Sequence, residues 1–257
     1  MWKILNLIKY VQLFLSNGLF LILLKSGFGK FFGRSVYIDV SLDVKKFRPV
    51  GSSRVNLTAR PIQENDFAIL NSILSDSARP SLEKLEVVRR LAMLAAGIKT
   101  YYVVEDSEGK VRFLQWLMLP SENENLRVHY VDWYPTLSAS DALMESGYVL
   151  PQYRGTGFLA VAFGKIIDIA SQSGVKSILG MIPEENVNSL ASYMRLGFEP
   201  YRLRVEKRFF GRRERSTVAL SLTDDEDRLK ELLPPTIVNL FLRTRALRSK
   251  ERLNFHE

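Results

Sequence analysis

The chain contains no cysteine. Disulfides, thiolate zinc sites and a cysteine nucleophile are therefore excluded. Histidine is nearly as scarce. Its two copies, His129 and His256, lie far apart in sequence, which argues against a histidine-built metal centre and leaves a Ser-His-Asp triad only if His129 serves it alone. Any catalysis must rest on carboxylates, tyrosine, serine, lysine or the backbone. A long apolar run is missing too. Residues 10–24 form an apolar stretch of 15 residues, broken by Gln12, Ser16, Asn17 and Gly18, whereas a membrane-spanning helix needs about 20. Lys3, Lys9, Lys25 and Lys30 flank the stretch, a pattern that suits a helix lying in the membrane interface. Residues 26–29 make a poor signal-peptide cleavage site. Acidic residues are outnumbered, 28 against 36 basic ones, for a net charge of +8. The basic excess sits at both ends and in residues 202–215. No nucleic-acid recognition motif accompanies it, so an anionic membrane surface or a phosphorylated ligand is the expected partner.

What is present fits one medium α/β domain with appendages in 257 residues. Residues 1–50 read as an apolar basic anchor and connector with one strand at 35–40. Residues 51–223 read as the main domain and 224–257 as a basic helical tail. Within the main domain, residues 55–60 read as a strand. Helices follow at 64–74 and 82–96, the second with Leu85, Val88, Leu91, Ala92 and Ala95 on one face. Strands at 100–105 and 111–119 are joined by the turn Asp106-Ser107-Glu108-Gly109. Residues 126–133 read as a strand and 147–150 as a short buried one. A helix at 158–171, a strand at 175–182, a helix at 186–196 and strands at 200–210 and 216–222 complete the domain. Strands interspersed with helices imply a mixed sheet covered on its faces.

The chemistry-bearing stretch is Tyr148-Val149-Leu150-Pro151-Gln152-Tyr153-Arg154-Gly155-Thr156-Gly157-Phe158-Leu159. A strand enters a glycine turn that opens a helix. The glycines let the backbone approach a ligand closely. The helix N-terminus offers unpaired N–H groups and the positive end of its dipole, a cradle for a pyrophosphate. Arg154 adds a positive charge. No Gly-Lys-Ser/Thr follows, so this is not a Walker loop, and the third glycine of a dinucleotide fingerprint is absent. Downstream, Asn186 is placed to cap a helix. Tyr193, two turns on, shares its face.

At these residues the chain resembles the GNAT superfamily of N-acetyltransferases, whose signature is Gln/Arg-x-x-Gly-x-Gly/Ala following a strand. Leu159 replaces the small residue that usually closes that motif. Asn186-Val187-Asn188-Ser189-Leu190-Ala191-Ser192-Tyr193-Met194-Arg195-Leu196-Gly197-Phe198 is similar to the family's second helix. The likeness covers roughly residues 55–222. It implies a mostly antiparallel mixed sheet flanked by helices, with two neighbouring parallel strands splayed to admit a thioester. It implies acetyl-CoA as acyl donor, held by Val149, Arg154, Gly155, Thr156, Gly157, Phe158, Leu159 and Asn186, with Tyr193 protonating the departing thiolate. A small-molecule amine, such as an amino sugar, would attack the thioester directly.

A base must first deprotonate that amine. Glu145, just before the motif, is the candidate, with His129 and Asp132 as alternatives. Trp133, Tyr134 and Trp116 could wall the acceptor pocket, although core packing suits Trp116 better. Gly147-Tyr148-Val149-Leu150-Pro151 and the basic segment 198–213 also resemble GNAT members linked to bacterial cell-surface polysaccharide synthesis. That likeness fits a cytoplasmic protein peripheral on the inner membrane face. Two other readings are a longer-chain acyltransferase drawing on acyl-CoA or acyl carrier protein, and a CoA-fold binding module without catalysis.

Overall fold

The computed structural model describes residues 32–47, 56–130, 133–155, 157–210 and 212–254. The interfacial helix expected around residues 10–24, the boundary at 49–53, and the candidates Thr156 and Asp132 lie outside them.

Eight strands form one sheet: β1 (Phe32–Asp43), β2 (Leu57–Pro61), β3 (Tyr101–Asp106), β4 (Val111–Met118), β5 (Asp141–Val149), β6 (Ser177–Pro183), β7 (Glu199–Phe209) and β8 (Arg212–Ala219). Their order is β2-β3-β4-β5-β6-β1-β7-β8. Every neighbouring pair is antiparallel except β5–β6, which is parallel. The protein is thus a mixed α/β fold with a mostly antiparallel sheet.

Seven α-helices flank it among the described residues: α1 (Phe67–Ser75), α2 (Ser81–Ala95), α3 (Asn123–His129), α4 (Leu159–Gln172), α5 (Val187–Arg195), α6 (Glu226–Leu232) and α7 (Pro235–Asn254). They divide the apolar core in two. On one side Phe163, Ile166 and Ile167 of α4, Leu190 of α5 and Ile237 and Phe241 of α7 pack on Val36, Ile38, Val40 and Leu42 of β1. On the other, Leu70 of α1, Val87 and Val88 of α2 and Leu126 of α3 pack on Tyr101, Leu114 and Trp116. Trp116 is fully buried and stacks on Tyr101 at 4.1 Å, so it belongs to the core and not to a pocket wall.

Four sequence expectations change. The segment read as a connector supplies β1, a 12-residue strand hydrogen-bonded to β6 on one edge and β7 on the other. Its alternate residues Val36, Ile38, Val40 and Leu42 are all at most 2% exposed, the signature of a central strand rather than a linker. The strand expected at 126–133 is instead α3. Pro120 opens a helical turn. Buried Glu122 then accepts from Lys99 N at 2.9 Å and from Asn125 Nδ2 at 3.0 Å, and Asn123 ties to both backbone groups of Leu137. These tertiary ties override the alternating pattern. The short strand expected at 147–150 begins six residues earlier, at Asp141. The tail is no free appendage. Leu229, Leu233, Ile237, Val238 and Phe241 are buried, and Arg248 donates to the carbonyls of Met194 and Phe198, each at 3.1 Å, closing the C-terminal end of α5 as a cation does well. Among the described residues no helix is long and apolar enough to cross a membrane.

Helix α5 sits against the sheet at Gly180. A Cβ there would lie 3.0 Å from Cε1 of Tyr193 and 3.1 Å from Cγ2 of Val40, closer than ordinary contact. Gly180→Ala should therefore push the Tyr193 ring aside and cost about 1–3 kcal/mol. By calorimetry the melting temperature should fall by roughly 2–4 °C per kcal/mol. An unchanged melting temperature would contradict this seating of Tyr193.

Candidate active site

The parallel pair β5–β6 holds register from Asp141↔Ser177 to Met144↔Gly180 and then parts. Both strands continue, β5 to Val149 and β6 to Pro183. Their diverging edges open on a cavity of about 1070 Å³ that Glu145, Gly147 and Val149 line from β5 and Met181, Ile182 and Pro183 from β6. The size suits a ligand-binding cleft.

A bulge bends β5 at the point of divergence. Leu114 pairs with Tyr148 and Trp116 with Glu145, so the single residue Gln115 faces both Ser146 and Gly147. Ser146 has φ of 54°, a left-handed conformation that costs a non-glycine residue about 1–3 kcal/mol. Two buried side chains hold it there. Gln115 Nε2 donates to the carbonyl of Glu145 at 2.8 Å. Arg90, on α2 and 2% exposed, donates to the carbonyls of Ser146 at 3.0 Å and Gly147 at 3.2 Å. The Arg90 guanidinium also lies 4.6 Å from the Tyr148 ring centroid. Sequence alone singles out neither residue. The only hint is an arginine one turn past Glu86 and amid the apolar positions of α2.

Beyond β5 the chain makes a short turn at Pro151–Tyr153 and enters the glycine segment. Gly155 and Gly157 have φ of 75° and 77°, so both need glycine for conformation. Buried Phe158 is the N-cap of α4 and gives it no side-chain cap. Among the described residues the N-cap supplies no side-chain acceptor to the first N–H groups of this 14-residue helix. Leu159, its first residue, lines the cavity. Arg154 behaves differently from expectation. Its Nη2 donates to Glu83 Oε1 at 2.9 Å and its Nε to the Val149 carbonyl at 3.3 Å. Glu83 therefore balances much of the charge that the sequence suggested for a phosphate.

Glu145 and Tyr193 meet in the cavity wall. Burial pushes the Glu145 carboxyl up to about 7, helped by Glu86 and Asp39; the Ser146 N–H, 3.2 Å from Oε1, and Arg90 hold it from going further. The Tyr193 ring packs between Phe163, at 5.2 Å, and Phe198, at 4.8 Å. Burial raises its phenol well above the usual range, and the Glu145 charge adds to the shift. Asn186 caps α5, its side chain accepting from Ser189 N at 3.2 Å, and also lines the cavity. The structure thus brings Glu145, Gly147, Val149, Leu159, Asn186 and Tyr193 around one space.

The cavity wall is also aromatic and charged. Tyr37, Tyr130, Trp133 and Tyr134 line it with Arg89, Arg213 and Glu86. Tyr37 meets Trp133 edge-on at 4.9 Å, and Tyr130 meets Tyr134 at 5.4 Å. His129, the last residue of α3, also lines the cavity and does not come from a strand.

No family model matches the chain, and no curated protein matches its sequence. Solved structures do. A tandem GNAT protein from the clavulanic acid biosynthesis pathway matches 72% of this chain and 53% of its own, at 14% identity and a TM-score of 0.43. A GNAT-family acetyltransferase from Colwellia psychrerythraea matches 68% of this chain and 55% of its own, at 13% identity and a TM-score of 0.43. A glucosamine N-acetyltransferase region of a fungal multi-domain β-N-acetylglucosaminidase matches 65% of this chain and 20% of its own, at 13% identity and a TM-score of 0.47. The chain spans less than two thirds of the length of each of these proteins.

Proposed function

We propose that this protein is a GNAT-type N-acyltransferase that moves the acetyl group of acetyl-CoA to the amine of a small molecule, an amino sugar in particular. The observation that carries the reading is the divergence of β5 from β6 next to a helix N-terminus whose N-cap gives no side-chain cap. A splayed strand edge suits an amide-bearing arm, and the N–H groups at the start of α4 suit a pyrophosphate. Acetyl-CoA joins those two features in one molecule. The left-handed Gly155 and Gly157 fit this use, since side chains at both positions would disturb the cradle.

Acetyl-CoA supplies the activated acyl group. The rest of the chemistry falls to the chain. Glu145, held near neutrality, takes a proton from the incoming ammonium so that its lone pair can attack. The free backbone edge of β5 around Val149 orients the thioester and can donate to its carbonyl oxygen as negative charge grows there. Tyr193 keeps its proton at working pH because burial raises its phenol. It can hand that proton to the sulfur as the carbon–sulfur bond breaks and the amide forms. The apolar Phe163 and Phe198 around it exclude water from the thioester. Lysines flanking the apolar stretch at 10–24 support a peripheral place on an anionic membrane face. That setting accords with the likeness to members linked to cell-surface polysaccharide synthesis.

Calorimetric titration with acetyl-CoA should show micromolar binding by the wild type and none by Gly157→Trp. A folded wild type that fails to bind would overturn the reading. With an acceptor in hand, kcat/KM should rise with pH through about 7 and then level, as Glu145 ionises. Glu145→Gln should lower kcat by roughly 10²–10⁴-fold and remove this acid limb while acetyl-CoA still binds. The same variant should be the more stable protein at alkaline pH. The Glu145 carboxyl is raised on folding from 4.5 to about 7, so its stabilising contribution is full below 4.5 and lost as pH rises through 7. That loss is on the order of 3 kcal/mol. A melting temperature gap that does not widen between pH 5 and pH 8 would contradict the burial of this carboxyl.

A further inference from the structure

The second face of the sheet changes character at β6. The core beneath α1, α2 and α3 draws no residue from β1, β7 or β8. On those three strands the same face carries polar groups. Register places Tyr37 opposite Arg204, Asp39 opposite Arg202 and Ser35 opposite Glu206. It continues the rows onto β8, with Arg213 opposite Arg208 and Arg215 opposite Glu206. Five arginines (202, 204, 208, 213 and 215) thus share this face with two carboxylates, Asp39 and Glu206.

The carboxylates are foundations. Asp39 is fully buried and takes Arg202 Nε at 2.6 Å and Arg204 Nη2 at 2.8 Å on one oxygen. Glu206, 1% exposed, takes Arg208 Nε at 2.5 Å and Arg215 Nε at 2.7 Å. Each buried acid is flanked by two arginines, so the face keeps a net positive charge and the guanidiniums of Arg202, Arg204, Arg208 and Arg215 are held in place. Fixed guanidiniums lose little freedom on meeting an anion, and they match phosphate oxygens bidentately. An edge strand protected by scattered charge would need no such foundations, and Arg202, Arg204 and Arg208 belong to β7, an internal strand.

The platform runs into the cavity. Tyr37 and Arg213 belong to both. Trp133 joins them from above, accepting from Arg204 Nη1 at 2.6 Å through its carbonyl and lying 5.8 Å from the Arg215 guanidinium. Tyr37 and Trp133 thus line the cavity and adjoin the arginines.

We infer that this face binds the phosphate or diphosphate group of the acceptor, with Arg213 at the cavity rim and Arg208 and Arg215 beside it. The acceptor is then a phosphate-linked amino sugar, its ring on Tyr37 and Trp133 and its amine toward Glu145. The assignment of the amine end rests on the acyltransferase reading; the anion platform does not. The phosphate belongs either to a soluble nucleoside diphosphate or to a lipid carrier.

The test uses the full chain saturated with CoA, so that the cradle at α4 is filled. Inorganic pyrophosphate and uridine diphosphate are titrated calorimetrically, and vesicles of phosphatidylcholine with phosphatidic acid are co-sedimented. In at least one of these arms Arg213→Glu should weaken binding by ~10-fold or more, as loss and reversal of a charge-assisted phosphate contact requires. Arg213→Gln should weaken it less. The responding arm identifies the source, soluble or lipid-linked. Arg213 is exposed, and an unchanged melting temperature shows that the variants fold. Equal binding by wild type and Arg213→Glu in every arm would overturn the inference. So would loss of pyrophosphate binding in Gly157→Trp alone, since the anion would then sit at α4. If CoA itself fails to bind while Arg213→Glu still abolishes pyrophosphate binding, the acyltransferase reading falls and the anion platform stands.

Discussion

A sheet satisfies its backbone polar groups only while its strands run side by side. β5 and β6 do so for four residue pairs and then separate. Beyond Met144 and Gly180 each strand keeps its outer partner, β4 or β1, and presents its inner edge to the cavity. The remainder of the site depends on that separation. Tyr193 occupies the space over Gly180, Glu145 is the first β5 residue past the last rung, and the glycine turn leads into α4 just beyond the strand's end. The strain that maintains the separation is local, in left-handed Ser146. The force that opposes its relaxation comes from a distance, through Arg90 on α2 and Gln115 on β4.

Buried charge is handled in two ways on the same sheet. Asp39 and Glu206 each meet two arginines. For Glu206 burial favours the neutral form, but hydrogen bonds from Arg215 and Arg208 outweigh it and hold the carboxyl low. Glu206 therefore stays ionised, and both acids serve to position arginines. Glu145 accepts from the neighbouring Ser146 N–H, but burial wins, leaving its carboxyl near 7. A carboxylate that can exchange a proton at neutral pH is costly to keep, and such residues concentrate where chemistry is done. The contrast separates Glu145, an acid in the cavity wall whose carboxyl is raised, from two acids that position arginines.

Much of the architecture was legible along the chain. The hairpin from β3 to β4, the glycine turn before α4, the Asn186 cap and the two-turn spacing to Tyr193 are local patterns, set by periodicity, capping and backbone conformation, and they lie where those rules put them. What failed to read locally was decided by partners far away. Residues 126–129 alternate like a strand, yet Glu122, Asn123 and Asn125 bind backbone groups of Lys99, Leu137 and Gly97 and make the segment a helix. The strand at 35–40 was visible, but not that it would lie at the heart of the sheet, 163 residues from the arginine that binds its aspartate. Arg154 carries a charge that the motif suggests for phosphate, and only Glu83, 71 residues away, redirects it.

The sequence by itself determined the α/β class, the bulk of the helices and strands, and the turn whose glycines lead into a helix N-terminus. It also limited the chemistry available, since a chain without cysteine and with two histidines leaves any catalysis to carboxylates, tyrosine, serine, lysine or the backbone. Tertiary structure alone decided that β5 and β6 part, that Ser146 is held left-handed by Arg90, that Glu145 titrates near 7 and that five arginines share one face. The reason is physical. Propensity, capping and turn conformation act over a few residues, whereas the degree of burial of a charge and the place where a ladder ends depend on residues brought together from across the chain.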